Sequence, residues 1–224
     1  MLQYLVDLVY PRICPCCAEP LNRVEKNLCF RCYEQLAFCP YLPHQIHPIE
    51  KILWGRCPLQ AATSLLVFSK HGIGQKLLHC LKYKGDYDTG IFLGHLLANR
   101  VLLHPELKTV DSIIPIPLFI RKKLQRGYNQ SEIIGKGVAE KMNLPVITDY
   151  LIKPYETASQ TRKNRMERVE NVSGAFALNT HFDSNGLKHV LVVDDVITTG
   201  STLETCVNLL TRNHRVSVAT LAYQ

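Results

Sequence analysis

The apolar positions change period several times along the chain. Ile73, Leu77, Leu78 and Leu81 recur at helical spacing within Ile73–Tyr83, and a second helix follows over Thr89–Leu103. Ala61–Ser69 has the apolar run of a strand. Val110–Pro117 (VDSIIPIP) is a short apolar run stopped by two prolines, so it reads as a strand reaching a loop. Asn129, three residues before Glu132, caps a helix over Ile133–Met142, and Leu144–Leu151 reads as a further strand. Val190–Val193 is unbroken apolar, as in a central strand of a parallel sheet buried on both faces. Ser201 and Glu204 stand at capping-box spacing and open a helix to about Asn213. Arg215–Tyr223 closes as a strand. This alternation predicts an open α/β fold with a parallel sheet flanked by helices.

Before residue 60 the pattern is different: cysteines, prolines and turns dominate. The chain therefore divides into an N-terminal module, residues 1–60, and an α/β domain, residues 61–224. Leu2, Leu5, Val6 and Val9 suggest a short amphipathic helix at the start. Met1–Tyr10 has no basic leader and no small-residue cleavage site after it, so it does not read as a signal peptide. No run approaches the roughly 20 apolar residues of a membrane helix, and a cytoplasmic location is the expectation.

Nine cysteines are present, and without an export signal their clustering argues for metal rather than disulfides. Cys14, Cys17, Cys29 and Cys32 form two C-x2-C knuckles, the spacing that sets four thiolates around one structural Zn²⁺. Cys16 makes the first knuckle C-P-C-C, and Cys14 with Cys17 gives the two intervening residues the turn needs. Cys39 and Cys57 are isolated and read as structural, the alternative being a second weak site with His44 or His47. Cys80 and Cys206 fall on predicted helices as buried small hydrophobes. No cysteine has a histidine at a spacing that signals a thiol nucleophile.

The most informative segment is Val190–Leu203, VLVVDDVITTGSTL. A buried strand ends in two acids, a hydroxyl-rich turn follows, and a helix begins. Ligands of open α/β sheets bind beyond the carboxyl ends of the strands, and a helix N-terminus offers free N–H groups to a phosphate. Gly200 allows close backbone approach and positive φ. Thr198, Thr199, Ser201 and Thr202 add hydroxyl donors. Asp194 and Asp195 are positioned to accept from two vicinal ribose hydroxyls and to help hold a hydrated Mg²⁺. The segment is neither a Walker loop nor GxGxxG. It resembles the diphosphoribose-binding motif of type I phosphoribosyltransferases.

Net charge is +7, and basic residues concentrate in Arg121, Lys122, Lys123, Arg126 and in Arg162, Lys163, Arg165, Arg168. Such clusters attract polyanions, diphosphate or nucleic acid, when they are not simply solvated loops. Ile114–Gln130 (IPIPLFIRKKLQRGYNQ) reads as a loop opening on the same sheet edge as the phosphate turn. Glu156–Phe176 (ETASQTRKNRMERVENVSGAF) is polar and basic and suits a flap, or a plain exposed helix over Arg162–Val169. Taken in order, IPIPLFIRKKLQRGYNQSE, TASQTRKNRMERVENVSGAF and VLVVDDVITTGSTL resemble the ComF family of competence-associated, phosphoribosyltransferase-like proteins. LKYKGDYDTGIFLG (Leu81–Gly94) is similar to that family's hood.

The resemblance implies a type I phosphoribosyltransferase-like sheet behind a small zinc-binding module. It implies that Asp194, Asp195 and Thr198–Thr202 bind phosphoribosyl diphosphate with Mg²⁺. Arg121 and Arg126 would then cradle the diphosphate, and Arg162, Lys163 and Arg165 would close over it. It further implies a role in natural transformation. Two functions stay open: transfer of the phosphoribosyl group to an acceptor, or a non-catalytic sensor or adaptor that contacts single-stranded DNA or DNA-uptake proteins. Against direct strand binding, stacking platforms are scarce, with one tryptophan, Trp54. The histidines 71, 79, 95, 104, 181, 189 and 214 are scattered without a metal-ligand pattern.

Overall fold

A computed structural model describes residues 11–153 and 176–224. The amphipathic segment expected over Met1–Tyr10, and the flap with Arg162, Lys163 and Arg165, lie outside the described residues.

The α/β expectation holds. Four parallel strands form one sheet in the order β1–β6–β5–β2: β1 (Ala62–Val67), β2 (Ser112–Pro115), β5 (His189–Ile197) and β6 (Arg215–Tyr223). β5 is central in register, with Val190 opposite both Ser112 and Val216. Its apolar run is fully buried, and the two faces of the sheet divide it. Leu191 and Val193 pack with Leu81, Leu97, Ile134 and Val138 on one side. Val190 and Val192 pack with Ile49, Leu53, Val207 and Leu210 on the other. A two-sided core of this kind is what an uninterrupted apolar strand requires. The Leu144–Leu151 strand shrinks to a bridge at Val146 beside Ile113 and to β3 (Leu151–Ile152), which pairs antiparallel with β4 (Ala177–Leu178).

Helices complete the layers among the described residues, with α1 (Phe30–Glu34) and α2 (Pro48–Leu53) before the sheet. α3 (Ile73–Tyr83), α4 (Tyr87–Leu103) and α6 (Gln130–Met142) come next, and α7 (Ser201–Leu210) lies on the opposite face. The basic segment expected as loop forms a further short helix, α5 (Ile120–Arg126), stopped by Gly127 at φ 81°. α4 and α6 meet backbone to backbone: a Cβ at Gly94 would drive into the Ile134 carbonyl, and one at Gly137 into the Ile91 carbonyl. This contact draws the start of α6 close to the hood.

The N-terminal segment leans on the sheet. Residues 37–39 run antiparallel along β1, with Cys39 N–H donating to the Leu65 carbonyl at 2.8 Å and Val67 N–H to that of Ala37 at 2.8 Å. This covers an otherwise open strand edge. His47 caps α2, its Nδ1 accepting from Ile49 N–H at 3.1 Å, and Glu50 returns the capping box. Glu50 Oε1 also accepts from Ala62 N–H at 2.9 Å, which pins α2 to the start of β1. No helix among the described residues is long and apolar enough to cross a membrane.

Candidate functional site

Three turns leave the carboxyl ends of β1, β2 and β5 on one edge of the sheet, because all the strands run the same way. The turn after β5 holds a cavity of ≈ 50 Å³, lined by Asp194, Thr198, Thr199, Gly200, Ser201 and Thr202 among others. That is several times the space one water requires, and enough for a small anion. Gly200, at φ 78°, is the N-cap of α7 and makes no side-chain cap bond, so the first N–H groups of the helix face outward unclaimed by a cap. The Ser201–Glu204 capping box therefore does not form. Glu204 is drawn away to Arg56, whose Nε donates to its Oε2 at 3.0 Å. Thr198, Thr199 and Thr202 are exposed, and the Thr199 and Ser201 hydroxyls lie 3.2 Å apart.

The two acids have different surroundings. Asp194 accepts from the Ser131 hydroxyl at 2.9 Å and from Asp195 N–H at 2.9 Å. Burial, and then the charge of Asp195, push its carboxyl up to about 7, against the pull of those two donors and of Lys82. Asp195 forms an ion pair with Lys82, Nζ to Oδ2 2.7 Å. Lys82 ends α3, within the stretch that resembles a hood. Its neighbour Tyr83 lies under the Arg126 guanidinium, 5.5 Å from the ring centre. Arg126 also donates to Gln130 Oε1 at 2.9 Å. Arg121 sits exposed in the first turn of α5. The oxygen donors of the acid pair are of the hard kind that suits a hydrated Mg²⁺, with one oxygen of Asp195 already engaged by Lys82.

Residues 128–131 tie this edge together. Tyr128 hydroxyl donates to the Leu81 carbonyl. Asn129 Nδ2 donates to the Ile116 carbonyl at 2.8 Å while its Oδ1 accepts from Ser131 N–H at 3.1 Å, capping α6. The Gln130 amide nitrogen is buried and has no partner among the described residues, which is uncommon for a buried polar group. Sequence reasoning named neither Ser131, Lys82, Gln130 nor Arg56. The only signal was their place in two stretches already noted, LKYKGDYDTG and RGYNQSE, or, for Arg56, none.

The cysteine knuckles converge. The sulfurs of Cys14, Cys17, Cys29 and Cys32 all lie within 4.8 Å of one another, and Cys17 and Cys29 are 3.6 Å apart. Tetrahedral Zn–S bonds require sulfur separations of about 3.8 Å, so the set could hold a metal such as zinc. Glu25 braces the two knuckles, accepting from Asn22 N–H at 2.7 Å and Phe30 N–H at 2.7 Å. Burial raises the Cys14 thiol, but N–H groups of Cys29, Cys16 and Cys17 outweigh it and bring it down to about 7. Cys16 stands apart from the four, pushed up to about 12 by burial and then by the charges of Cys14 and Cys80.

Cys39 and His47, paired in the sequence only as an alternative weak site, do meet. Cys39 Sγ lies 3.3 Å from His47 Nε2, which is also 3.1 Å from the Ser64 hydroxyl. Because His47 Nδ1 accepts from Ile49 N–H, its proton resides on Nε2. It cannot take a proton from Cys39, and burial lowers its pKa to about 4, with help from Arg100 and His104. No third metal-ligating side chain joins this pair among the described residues. Cys80 and Cys206 are buried on α3 and α7 as small hydrophobes. His189 and His214 are buried with hydrogen-bond partners.

No family model matches the chain. It is, however, 29% identical over 222 residues to the DNA utilization protein YhgH of Salmonella typhimurium, covering 94% of this chain and 96% of that one. It is 26% identical over 207 residues to competence protein F of Haemophilus influenzae, covering 88% and 90%. Relatives named competence protein F, competence protein ComFC and DNA utilization protein YhgH along most of its length support the resemblance to the ComF family. Among solved structures it is similar to the glutamine phosphoribosylpyrophosphate amidotransferase from B. subtilis. The TM-score is 0.42 at 20% identity, over 60% of this chain and 26% of that one. That overlap is partial; the parallel sheet, its strand order and the turn at its carboxyl edge are features of this chain itself.

Proposed function

We propose that this ComF-like protein binds phosphoribosyl diphosphate at the carboxyl edge of its sheet and acts in the cytoplasmic handling of DNA taken up during natural transformation. The observation that carries the ligand reading is the uncapped N-terminus of α7 beside a small cavity, with an acid pair at the preceding strand end. The N–H groups and hydroxyls of residues 199–202 would hold the 5-phosphate. Asp195, and Asp194 when ionised, would accept from the ribose hydroxyls, which compete with Lys82 for the carboxylate. Arg121 and Arg126 would neutralise the diphosphate, joined by Arg162, Lys163 and Arg165. Mg²⁺, when bound, supplies further charge neutralisation on the diphosphate.

The DNA side of the proposal draws on the relatives' names, competence protein F and DNA utilization protein. The cysteine set, within the N-terminal module of residues 1–60, would bind one structural Zn²⁺. Whether the bound ligand is transferred or sensed turns on one result, diphosphate release in the presence of acceptor bases: transfer liberates it and sensing does not.

Calorimetry tests the binding itself. The wild-type chain is expected to bind phosphoribosyl diphosphate with Mg²⁺. The Asp195→Asn, Thr199→Ala double variant is expected to show no heat at about 1 mM ligand, a loss of several kcal/mol from a micromolar site. A wild-type chain that is silent at that concentration ends the reading.

A further inference from the structure

We infer that Arg56, from the N-terminal segment, is a positioning residue for the phosphate turn, so that this segment completes the sugar-phosphate site rather than standing beside it. The inference rests on the ligand reading above and deepens it. Arg56 reaches across 143 residues of sequence to donate from Nη1 to the Thr199 carbonyl at 2.8 Å, and from the same nitrogen to the Ile52 carbonyl at 3.1 Å. Its Nε and Nη2 both engage Glu204 Oε2. Its own carbonyl accepts from Asn208 Nδ2 at 3.1 Å. One guanidinium therefore joins α2, the turn and the first turn of α7. A flat fork of five donors can do this, and an ammonium cannot.

Packing supports the same conclusion. A Cβ on Gly200 would lie 2.8 Å from Ile52 Cγ2, 3.1 Å from Leu53 Cδ2 and 3.4 Å from Arg56 Nη1. The turn is thus seated against α2 and its following residues, with no slack. α2 is in turn fixed to β1 through Glu50 and to Cys39 and Ser64 through His47. Thr199 gives its carbonyl to Arg56, which fixes the peptide plane that presents the Gly200 N–H. Binding sites need such atoms held to within about half an ångström. Arg56 also neutralises Glu204, whose charge would otherwise oppose an anion at the same helix end.

The test is titration with ribose 5-phosphate, followed by calorimetry, on four full-length chains: wild type, Arg56→Ala, Arg56→Lys, and Arg56→Ala with Glu204→Gln. Circular dichroism and thermal unfolding establish that each is folded. Arg56→Ala is expected to weaken binding about tenfold or more, the size of one lost charge-assisted hydrogen bond. Arg56→Lys should fall between it and wild type, and the double variant should recover only the smaller part of the loss, the part owed to the uncancelled charge of Glu204. Binding by Arg56→Ala within about twofold of wild type overturns the inference. Recovery of wild-type affinity in the double variant also overturns it, since Arg56 would then only cancel the charge of Glu204. A wild-type chain that does not bind ribose 5-phosphate removes the ligand reading itself, a different failure.

Discussion

A Gly200→Ala chain is expected to lose measurable ligand binding and about 2–5 kcal/mol of stability. Two costs add at this position. Gly200 sits at φ 78°, where an L side chain costs about 1–2 kcal/mol. The new methyl would also meet Ile52 at 2.8 Å and Leu53 at 3.1 Å, both on α2 and both in close packing. Overpacking of this kind typically costs about 1–3 kcal/mol. Relief requires the turn to move off α2, which carries the first N–H groups of α7 out of line. Gly186 is the internal control: its φ is 95°, but a Cβ there meets nothing within 4 Å. Gly186→Ala should show the backbone cost alone and keep ligand binding. Urea unfolding midpoints and calorimetry measure both effects. Equal behaviour of the two variants would mean that the seat on α2 has no consequence.

Cys32→Ser is expected to have the larger effect on stability, above about 5 kcal/mol, with loss of bound zinc. Structural zinc sites draw about 10–16 kcal/mol of folding free energy from the metal, and a serine in place of a buried thiolate forfeits most of that. The loss should not remain local. Cys14, Leu28, Cys32 and Leu36 belong to the same buried cluster as Leu65, Leu66, Leu77 and Leu81. Unfolding the knuckles therefore uncovers one face of the sheet. Metal content by mass spectrometry and thermal unfolding supply the readout. A chelator should reproduce the shift in wild type and leave Cys32→Ser unchanged. Cys16→Ser should retain the metal, because Cys16 lies outside the set of four. Zinc retained by Cys32→Ser, or lost from Cys16→Ser, contradicts the assignment.

How far the sequence carries depends on whether a feature is local. The β5–α7 unit is legible because its signals are contiguous: a run buried on both faces, then acids, hydroxyls and a glycine at the turn. The four cysteines are legible for the same reason, since knuckle spacing alone brings their sulfurs together. What the sequence hides is long-range. Glu204 has the spacing of a capping residue, and only the fold reveals that Arg56 claims it from 148 positions away. Lys82 reads as one more cation in a hood-like stretch, yet it ends beside Asp195. Ser131 follows a cap residue, and its hydroxyl is spent on Asp194. The basic run at 121–126 lacks apolar periodicity and so reads as loop. It forms a short helix that Gly127 ends in a left-handed turn, and it buries none of its residues. Cys39 and His47 are eight residues apart, so the sequence offers them only as one alternative pairing, and the fold brings them together where residues 37–39 line β1.

Backbone N–H groups at the start of α7 are proposed to grip a sugar phosphate. Amide chemical shifts of an isotope-labelled chain, followed while ribose 5-phosphate is added, address it without reference to any reaction. Saturable shifts are expected, largest at Gly200, Ser201 and Thr202 and accompanied by Asp195 and Lys82. Shifts confined to other surfaces, or none in this turn at saturating ligand, would contradict it.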